Sequence, residues 1–184
     1  MKRSTHPLAI KSQNWLVEAL LELIQQKPYE EITISEIARK AKLDRRTFYR
    51  NFKDKEDVLS YYFNKLKEEY ILMLKGVSQH NFYTLAKSYL DFWNHHREFL
   101  KTAQQDEVLK EMLMDMINQF MPTIYAQADG TLSYKLHYNI AFVTGGFHNV
   151  LMHWMNTGFK ETPEEIVRNI AGMFDDSIAY WPDL

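Results

Sequence analysis

The chain has 184 residues, no cysteine and a formal net charge of −2, with 46% hydrophobic and 25% charged residues. That length suits one domain, or a small domain joined to a larger one, and the absence of cysteine excludes disulfide scaffolds, thiol nucleophiles, zinc ribbons and iron–sulfur sites. No stretch approaches the roughly 18 apolar residues of a membrane span, and the first apolar residues are interleaved with Lys11, Ser12, Gln13, Asn14 and Glu18 rather than gathered into a signal-peptide block, so a soluble cytoplasmic protein is expected.

Glycine and proline number 6 and 5 and form no tract, and no alternating strand pattern persists, so the chain reads as helical almost throughout. A first helix is predicted over residues 7–26. Pro7 suits its first turn, and Trp15, Leu16, Ala19, Leu20, Leu23 and Ile24 recur at helical spacing. Lys27-Pro28 ends it, because the residue before a proline is steered out of the α region. Thr33, with Glu36 three residues on and Ile32 available as a staple, has the form of a capping box and starts a short second helix ending near Ala41. After a turn at Lys42-Leu43, Asp44 is a good N-cap for a third helix over 45–52. Phe48 and Phe52 share one face of it; Arg45, Arg46, Tyr49 and Arg50 lie elsewhere on the cylinder.

A fourth helix starts near Asp54, carries Val58, Leu59, Tyr62, Phe63, Leu66, Tyr70 and Leu74 at threes and fours, and stops at Gly76. Further helices are read at 81–95, 98–103, 107–126, 133–157 and 163–181, with breaks at Asp129-Gly130 and Gly158. The expected class is all-α with about nine helices. A small unit over residues 1–55 is joined by a connecting helix over 54–76 to a larger bundle over 77–184.

The charge is unevenly spread. Residues 1–55 hold 12 Lys/Arg against 7 Asp/Glu, whereas residues 56–184 hold 10 against 17. From Arg39 to Lys55 there are eight basic residues and two acidic ones. A basic segment on an acidic body recruits a locally anionic partner without general stickiness. Two short helices with a tight turn, the second rich in Arg, Thr and Tyr, describe a helix-turn-helix. Ala38 sits where the helices cross, Leu43 and Phe48 point back into the core, and the second helix can enter a major groove about 12 Å wide.

Residues 10–75 resemble the DNA-binding domain of TetR-type (TetR/AcrR) transcriptional regulators. The resemblance is carried by the Ile10…Ala19-Leu20…Leu23 helix, by Pro28-Tyr29-Glu30-Glu31-Ile32-Thr33-Ile34-Ser35-Glu36-Ile37-Ala38, and by the run from Thr47-Phe48-Tyr49-Arg50-Asn51-Phe52 through Lys55 to Leu59. Phe142-Val143-Thr144-Gly145-Gly146-Phe147 through Trp154, followed by Thr162-Pro163-Glu164-Glu165, is similar to the family's dimerising helices. With Lys27-Pro28, this tail resembles a Gram-positive branch that includes the coactivator of dihydroxyacetone-kinase operons. Lys42 stands where the family often has a glycine of positive φ, and a lysine there costs about 1 kcal/mol of strain.

Chemistry and resemblance together imply the contacts with double-stranded DNA. Arg45, Arg46 and Thr47 are expected to reach base edges, since arginine binds guanine O6/N7 bidentately. Tyr49, Asn51, Lys55 and Lys42 are expected on phosphates, with Thr33 and its helix N-terminus adding main-chain N–H groups.

In the carboxy-terminal part an aromatic and methionine stripe is usually plain core, but the resemblance implies a hollow bundle for a small hydrophobic or amphipathic effector. Phe92, Trp93, Phe99, Met112, Met116, Phe120, Tyr138 and Phe142 are the expected lining. A two-fold homodimer is expected through Gly145, Gly146, His148, Asn149, Met152, His153, Ile170 and Phe174. Each mid-helix glycine costs about 1 kcal/mol against alanine, which close helix approach explains. No catalytic residue, cofactor or metal is expected. His95 and His96 point about 100° apart, His148 and His153 lack the i, i+4 spacing of zinc helices, and no Gly-rich phosphate loop or Ser-centred elbow is present. The resulting expectation is a homodimeric repressor released from a palindromic operator by an effector, with no membrane partner. The alternative is an activator or coactivator that works by protein contact and takes no ligand.

Overall fold

His6, Thr33, Asp44, Asp54 and Asn81 each stand in extended backbone, and each side chain accepts a main-chain N–H from the first turn of the helix that follows. In the computed structural model these caps open α1 (Pro7–Ile24), α2 (Ile34–Lys40), α3 (Arg45–Asn51), α4 (Lys55–Lys75) and α5 (Phe82–His95). They are followed by α6 (Arg97–Gln104), α7 (Glu107–Ala126), α8 (Tyr134–Asn156) and α9 (Pro163–Ala171). The structure describes residues 6–77, 81–126 and 134–171, and of 120–126, 134–137 and 140 the backbone alone. Among the described residues the fold is all-α, with no strand, and no helix is long and apolar enough to cross a membrane.

The first eight helices agree with the expected ones to within a turn at their ends, and the ninth, expected over 163–181, is described to Ala171, its remainder lying outside the described residues. One element was not expected: a short 3-10 turn, Tyr29–Glu31, between α1 and α2. Phe174, placed on the last helix by its sequence pattern, lies outside the described residues.

Helices α1, α2 and α3 close over Leu16, Leu20, Ile37, Ala38, Phe48 and Phe52, all buried. Burying one such side chain contributes about 1.5–3 kcal/mol. The link from α2 to α3 is set by main-chain bonds. Leu43 N–H donates to Ala38 O at 2.9 Å and Lys42 N–H to Arg39 O at 3.0 Å, the paired bonds of a Schellman ending. That ending needs a left-handed residue, and Lys42 supplies it at φ 56°. The sequence-based expectation of positive φ there is met.

Helix α4 belongs to both halves. Its Tyr61 lies edge-on to Phe52 of the head at 5.5 Å, while Tyr62 and Tyr70 lie against Phe99 and Phe92 of the body, each at 5.1 Å. In the body, α5 packs on α9 and α7 on α8. Phe82 stacks on Phe147 at 6.0 Å, and Leu100, Leu109, Leu113 and Leu151 are fully buried. Helix α8 ends at Gly158 (φ 78°) and Phe159 (φ 57°), and the Arg97 guanidinium lies over the Trp154 and Phe159 rings at 5.5 and 5.1 Å.

Candidate nucleic-acid interface

Helix α3 presents one face to the core and another to solvent. Phe48 and Asn51 are buried, whereas Arg45, Arg46, Tyr49 and Arg50 are exposed. Asp44 fixes the start of the helix by accepting the Thr47 N–H at 2.6 Å, and that bond holds the Asp44 carboxyl below its usual range. The Tyr49 ring rests edge-on against Phe48 at 5.6 Å, with its hydroxyl 3.5 Å from Arg45 Nη2. Among the described residues the Arg46 guanidinium has no bonding partner. Lys42 is exposed on the turn. Nearby, Lys40 pairs with Glu22 at 2.7 Å and Lys53 with Asp54 at 3.7 Å, so part of the basic run is neutralised locally. Arg45, Arg46, Thr47, Tyr49 and Lys42 are thus brought together on α3 and the turn before it.

Three of the expected DNA contacts are corrected. Asn51 is buried, not on the surface: its Nδ2 donates to Thr47 O at 2.8 Å and its Oδ1 accepts from Gln13 Nε2 at 3.5 Å. It fixes α3 against α1. Lys55 turns inward, donating from Nζ to the carbonyls of Tyr29, Glu30 and Ile32 at 2.8, 2.9 and 3.2 Å. An ammonium has three donors, and all three are taken. Its charge also lies 4.5 Å from the Tyr29 ring. Thr33 is committed to Glu36: its N–H and hydroxyl both donate to Glu36 Oε2, at 2.9 and 2.8 Å. Lys27 Nζ bonds the same carboxylate at 2.8 and 2.9 Å, and with the Thr33 bonds it lowers the Glu36 pKa to about 2. At the start of α2 only the N–H groups inside the helix remain for a phosphate.

The expected effector residues do not line one common space. Phe92 and Trp93 are buried in an aromatic cluster with Tyr70 and Tyr89. Phe99 packs on Tyr62 and Phe63. Met112 and Met116 line an open cleft of about 450 Å³ between α4 and α7, with Phe63, Asn64, Lys67 and Asp115 among its other walls. Tyr138 and Phe142 are corrected: at 63% and 67% exposed they stand on the outer side of α8, opposite Thr144 and Leu151 in helical phase. The side chain of Phe120 lies outside the described residues.

Of the expected dimer residues, Gly146, Asn149 and His153 are exposed on that same outer side, and Gly145, Met152 and Ile170 are half-buried. Among the described residues, a Cβ at Gly145 or Gly146 would meet nothing within 4 Å. His148 is half-buried too, with its Nδ1 turned into the chain.

Sequence reading missed the pairs that join distant segments: Gln13 with Asn51, Lys27 with Glu36, and Tyr29 with Asp106, whose Oδ2 accepts the Tyr29 N–H at 2.6 Å. Asp106 three residues before Leu109 has N-cap spacing, and it does accept the Leu109 N–H at 3.0 Å. Its second bond, 77 residues away in the chain, leaves no local signal.

Comparison with known proteins gives the fold its family. Residues 16–62 match the model described as "Bacterial regulatory proteins, tetR family", and residues 80–176 match that of "Transcriptional regulator C-terminal region". The chain is 24% identical over 188 residues to the HTH-type transcriptional regulator YxbF of Bacillus subtilis (strain 168), a match over 89% of this chain and 45% of that protein. It is 36% identical over 55 residues to the dhaKLM operon transcriptional activator DhaS of Lactococcus lactis subsp. lactis (strain IL1403), covering 30% of this chain and 29% of that one. The chain therefore spans less than half the length of these two curated relatives. Among solved structures, a TetR transcriptional regulator from Streptococcus agalactiae 2603V has a TM-score of 0.64 at 17% identity, over 90% of this chain and 94% of that one. FadR from Bacillus subtilis in complex with stearoyl-CoA has a TM-score of 0.54 at 14% identity, over 87% and 96%. These likenesses speak to the fold. With both of its parts matched, the chain belongs to the TetR family of transcriptional regulators, an all-α, helix-turn-helix DNA-binding family.

Proposed function

We propose that the protein is a homodimeric repressor that reads a palindromic operator with Arg45, Arg46 and Thr47, holds phosphates with Tyr49 and Lys42, and is released by a small amphipathic effector. The exposed α3 face carries this reading. Arg45, Arg46 and Tyr49 are exposed on a helix whose opposite side is locked by Phe48 and Asn51. A rigid helix bearing exposed Arg side chains matches the donor and acceptor pattern of a major groove.

The outer side of α8 supports the dimer. Tyr138 and Phe142 are exposed large rings, and the adjacent Gly145-Gly146 leaves open space where a second copy's α8 can approach closely. Two copies of α3 related by a two-fold axis read two half-sites about one helical turn apart. Effector binding in the body shifts α4, which packs on both halves, and moves the recognition helices out of register.

Selection of bound duplexes from a random pool, followed by fluorescence anisotropy at several salt concentrations, tests the reading. A palindromic consensus bound far more tightly than random duplex supports it; equal affinity for both overturns it. The likeness to DhaS, described as an activator, favours a second reading in which the bound dimer activates transcription. Run-off transcription from a promoter carrying the selected site separates the two by the sign of its effect.

A further inference from the structure

Among the described residues, four polar atoms of the body lie in the interior with no hydrogen-bond partner: Arg97 Nε, whose guanidinium lies over the Trp154 and Phe159 rings, and Tyr89 Oη, Thr144 Oγ1 and His148 Nδ1. Tyr89 and Thr144 are 2% and 6% exposed. Nearly all buried polar groups in folded proteins are paired, because a donor or acceptor removed from water and left unbonded costs stability. Each such group asks for an explanation.

Tyr89, Thr144 and His148 are not scattered. Thr144 and His148 are one turn apart on α8, so their Cβ atoms stand about 5–6 Å from each other, yet neither bonds to the other. Phe147, which precedes His148, packs on Tyr89 of α5 at 5.1 Å. The inner face of α8 and the facing side of α5 therefore carry all three groups around one aromatic contact. Around them lie Tyr70, Phe82 and Trp93, whose rings approach Tyr89 or Phe147 at 6.0–6.3 Å.

Their chemistry narrows what they bind. Burial pushes the Tyr89 phenol pKa well up, and the Trp93 indole one turn on, offering its N–H to the phenol oxygen, acts the other way, so Tyr89 stays neutral at ordinary pH and its O–H is the group left to donate. The Thr144 hydroxyl rotates to donate, and an imidazole Nδ1 takes either role. Two hydroxyl donors set among aromatic rings suit an oxygen acceptor on an apolar body.

We propose that Tyr89, Thr144 and His148 form the polar recognition point of the effector site, and that the effector is an amphipathic molecule whose carbonyl or carboxyl oxygen they bind. This rests on the effector-responsive reading above and gives it a chemistry that the apolar residues named from the sequence did not.

Thermal melting of the full chain with three probes of matched shape tests it: 4-phenyl-2-butanone, 4-phenylbutanoate and butylbenzene. Stabilisation by an oxygen-bearing probe, and none by butylbenzene, is the expected result; ketone against carboxylate tells whether the head is neutral or charged. T144V and H148L each weaken that probe by about tenfold, the loss of one hydrogen bond. T144V also gives a readout that needs no ligand. Replacing an unpaired buried hydroxyl with a methyl of the same shape raises the melting temperature of the unliganded chain by about 2–4 °C. No stabilisation by any probe, equal stabilisation by butylbenzene, or a lower melting temperature for T144V overturns the proposal. A probe that binds here without releasing operator DNA leaves this site standing and overturns the release mechanism instead.

Discussion

The main-chain N–H of Tyr29 donates to Asp106 Oδ2 at 2.6 Å, while Asp106 Oδ1 accepts the Leu109 N–H at 3.0 Å. One carboxylate thus caps α7 of the body and holds the 3-10 turn that leads into the helix-turn-helix. The far end of that turn is held by Lys55 through three carbonyls. Asp106→Ala removes a cap and a charge-assisted bond, a loss of about 1–3 kcal/mol. Asp106→Asn keeps an acceptor oxygen for one of the two N–H groups and loses less. Urea unfolding of the two variants checks the order; equal stability to the parent chain for Asp106→Ala removes the joint from the account.

Arg46 and Lys55 separate base reading from scaffold. Arg46→Ala is expected to weaken operator binding by about 1–3 kcal/mol and leave random duplex nearly unchanged. Lys55→Met acts differently, because its ammonium is spent on carbonyls rather than offered to DNA. Melting temperature falls, and both duplexes bind less well, but the slope of log affinity against log salt stays as it was. A slope reduced by about one for Lys55→Met would place its charge on a phosphate after all.

Lys42 carries two opposed effects at one position. Its φ of 56° is a conformation that glycine takes freely and lysine takes at about 1 kcal/mol. Lys42→Gly is therefore expected to raise stability by up to about that amount, while shallowing the salt slope by about one as a phosphate contact is lost. Anisotropy titrations between 50 and 200 mM salt (roughly the range over which such slopes are read), paired with melting curves, check both signs on one variant.

The acid limit of stability has a named contributor. Glu36 titrates near 2 rather than 4.5, first because Lys27 bonds its carboxylate and then because Thr33 does. A depressed folded-state pKa contributes stability that is present above the unfolded value and lost as pH falls through the folded one. The parent chain therefore loses stability between about pH 4.5 and 2 that Glu36→Gln does not. Comparing urea midpoints at neutral pH and near pH 2.5 checks it: a gap between the two proteins that fails to close on acidification counts against the pairing.

Local signals made the helices legible. Thr33 and Asp44 announced their caps, and the apolar spacing of α1 and α4 gave most of their buried faces, Trp15 of α1 standing exposed instead, because these depend on residues within one turn of each other. The direction of a long polar side chain is not local. Asn51 and Lys55 have the right chemistry for phosphate, yet Gln13 and the 3-10 carbonyls, 38 and 23–26 residues away, hold them inward. For Tyr138 and Phe142 the composition was informative and the phase decided the outcome. Two residues from Thr144 along α8, Phe142 turns to the opposite side of the helix.

That outer side makes the sharpest demand on the glycine pair. Among the described residues a Cβ at Gly145 or Gly146 meets nothing within 4 Å, so none of their packing requires glycine there. Alanine at either position should stabilise α8 of a single chain by about 1 kcal/mol through helix propensity alone. If a second copy's α8 lies against the pair, the same methyls keep the two helices apart. Gly145→Ala/Gly146→Ala is thus expected to unfold at higher urea as a monomer, yet to dissociate at a higher protein concentration than the parent. Sedimentation equilibrium across a concentration series reads the second quantity directly. Unchanged association in the double variant would mean that the dimer forms through another surface, and that the exposed rings of Tyr138 and Phe142 serve something else.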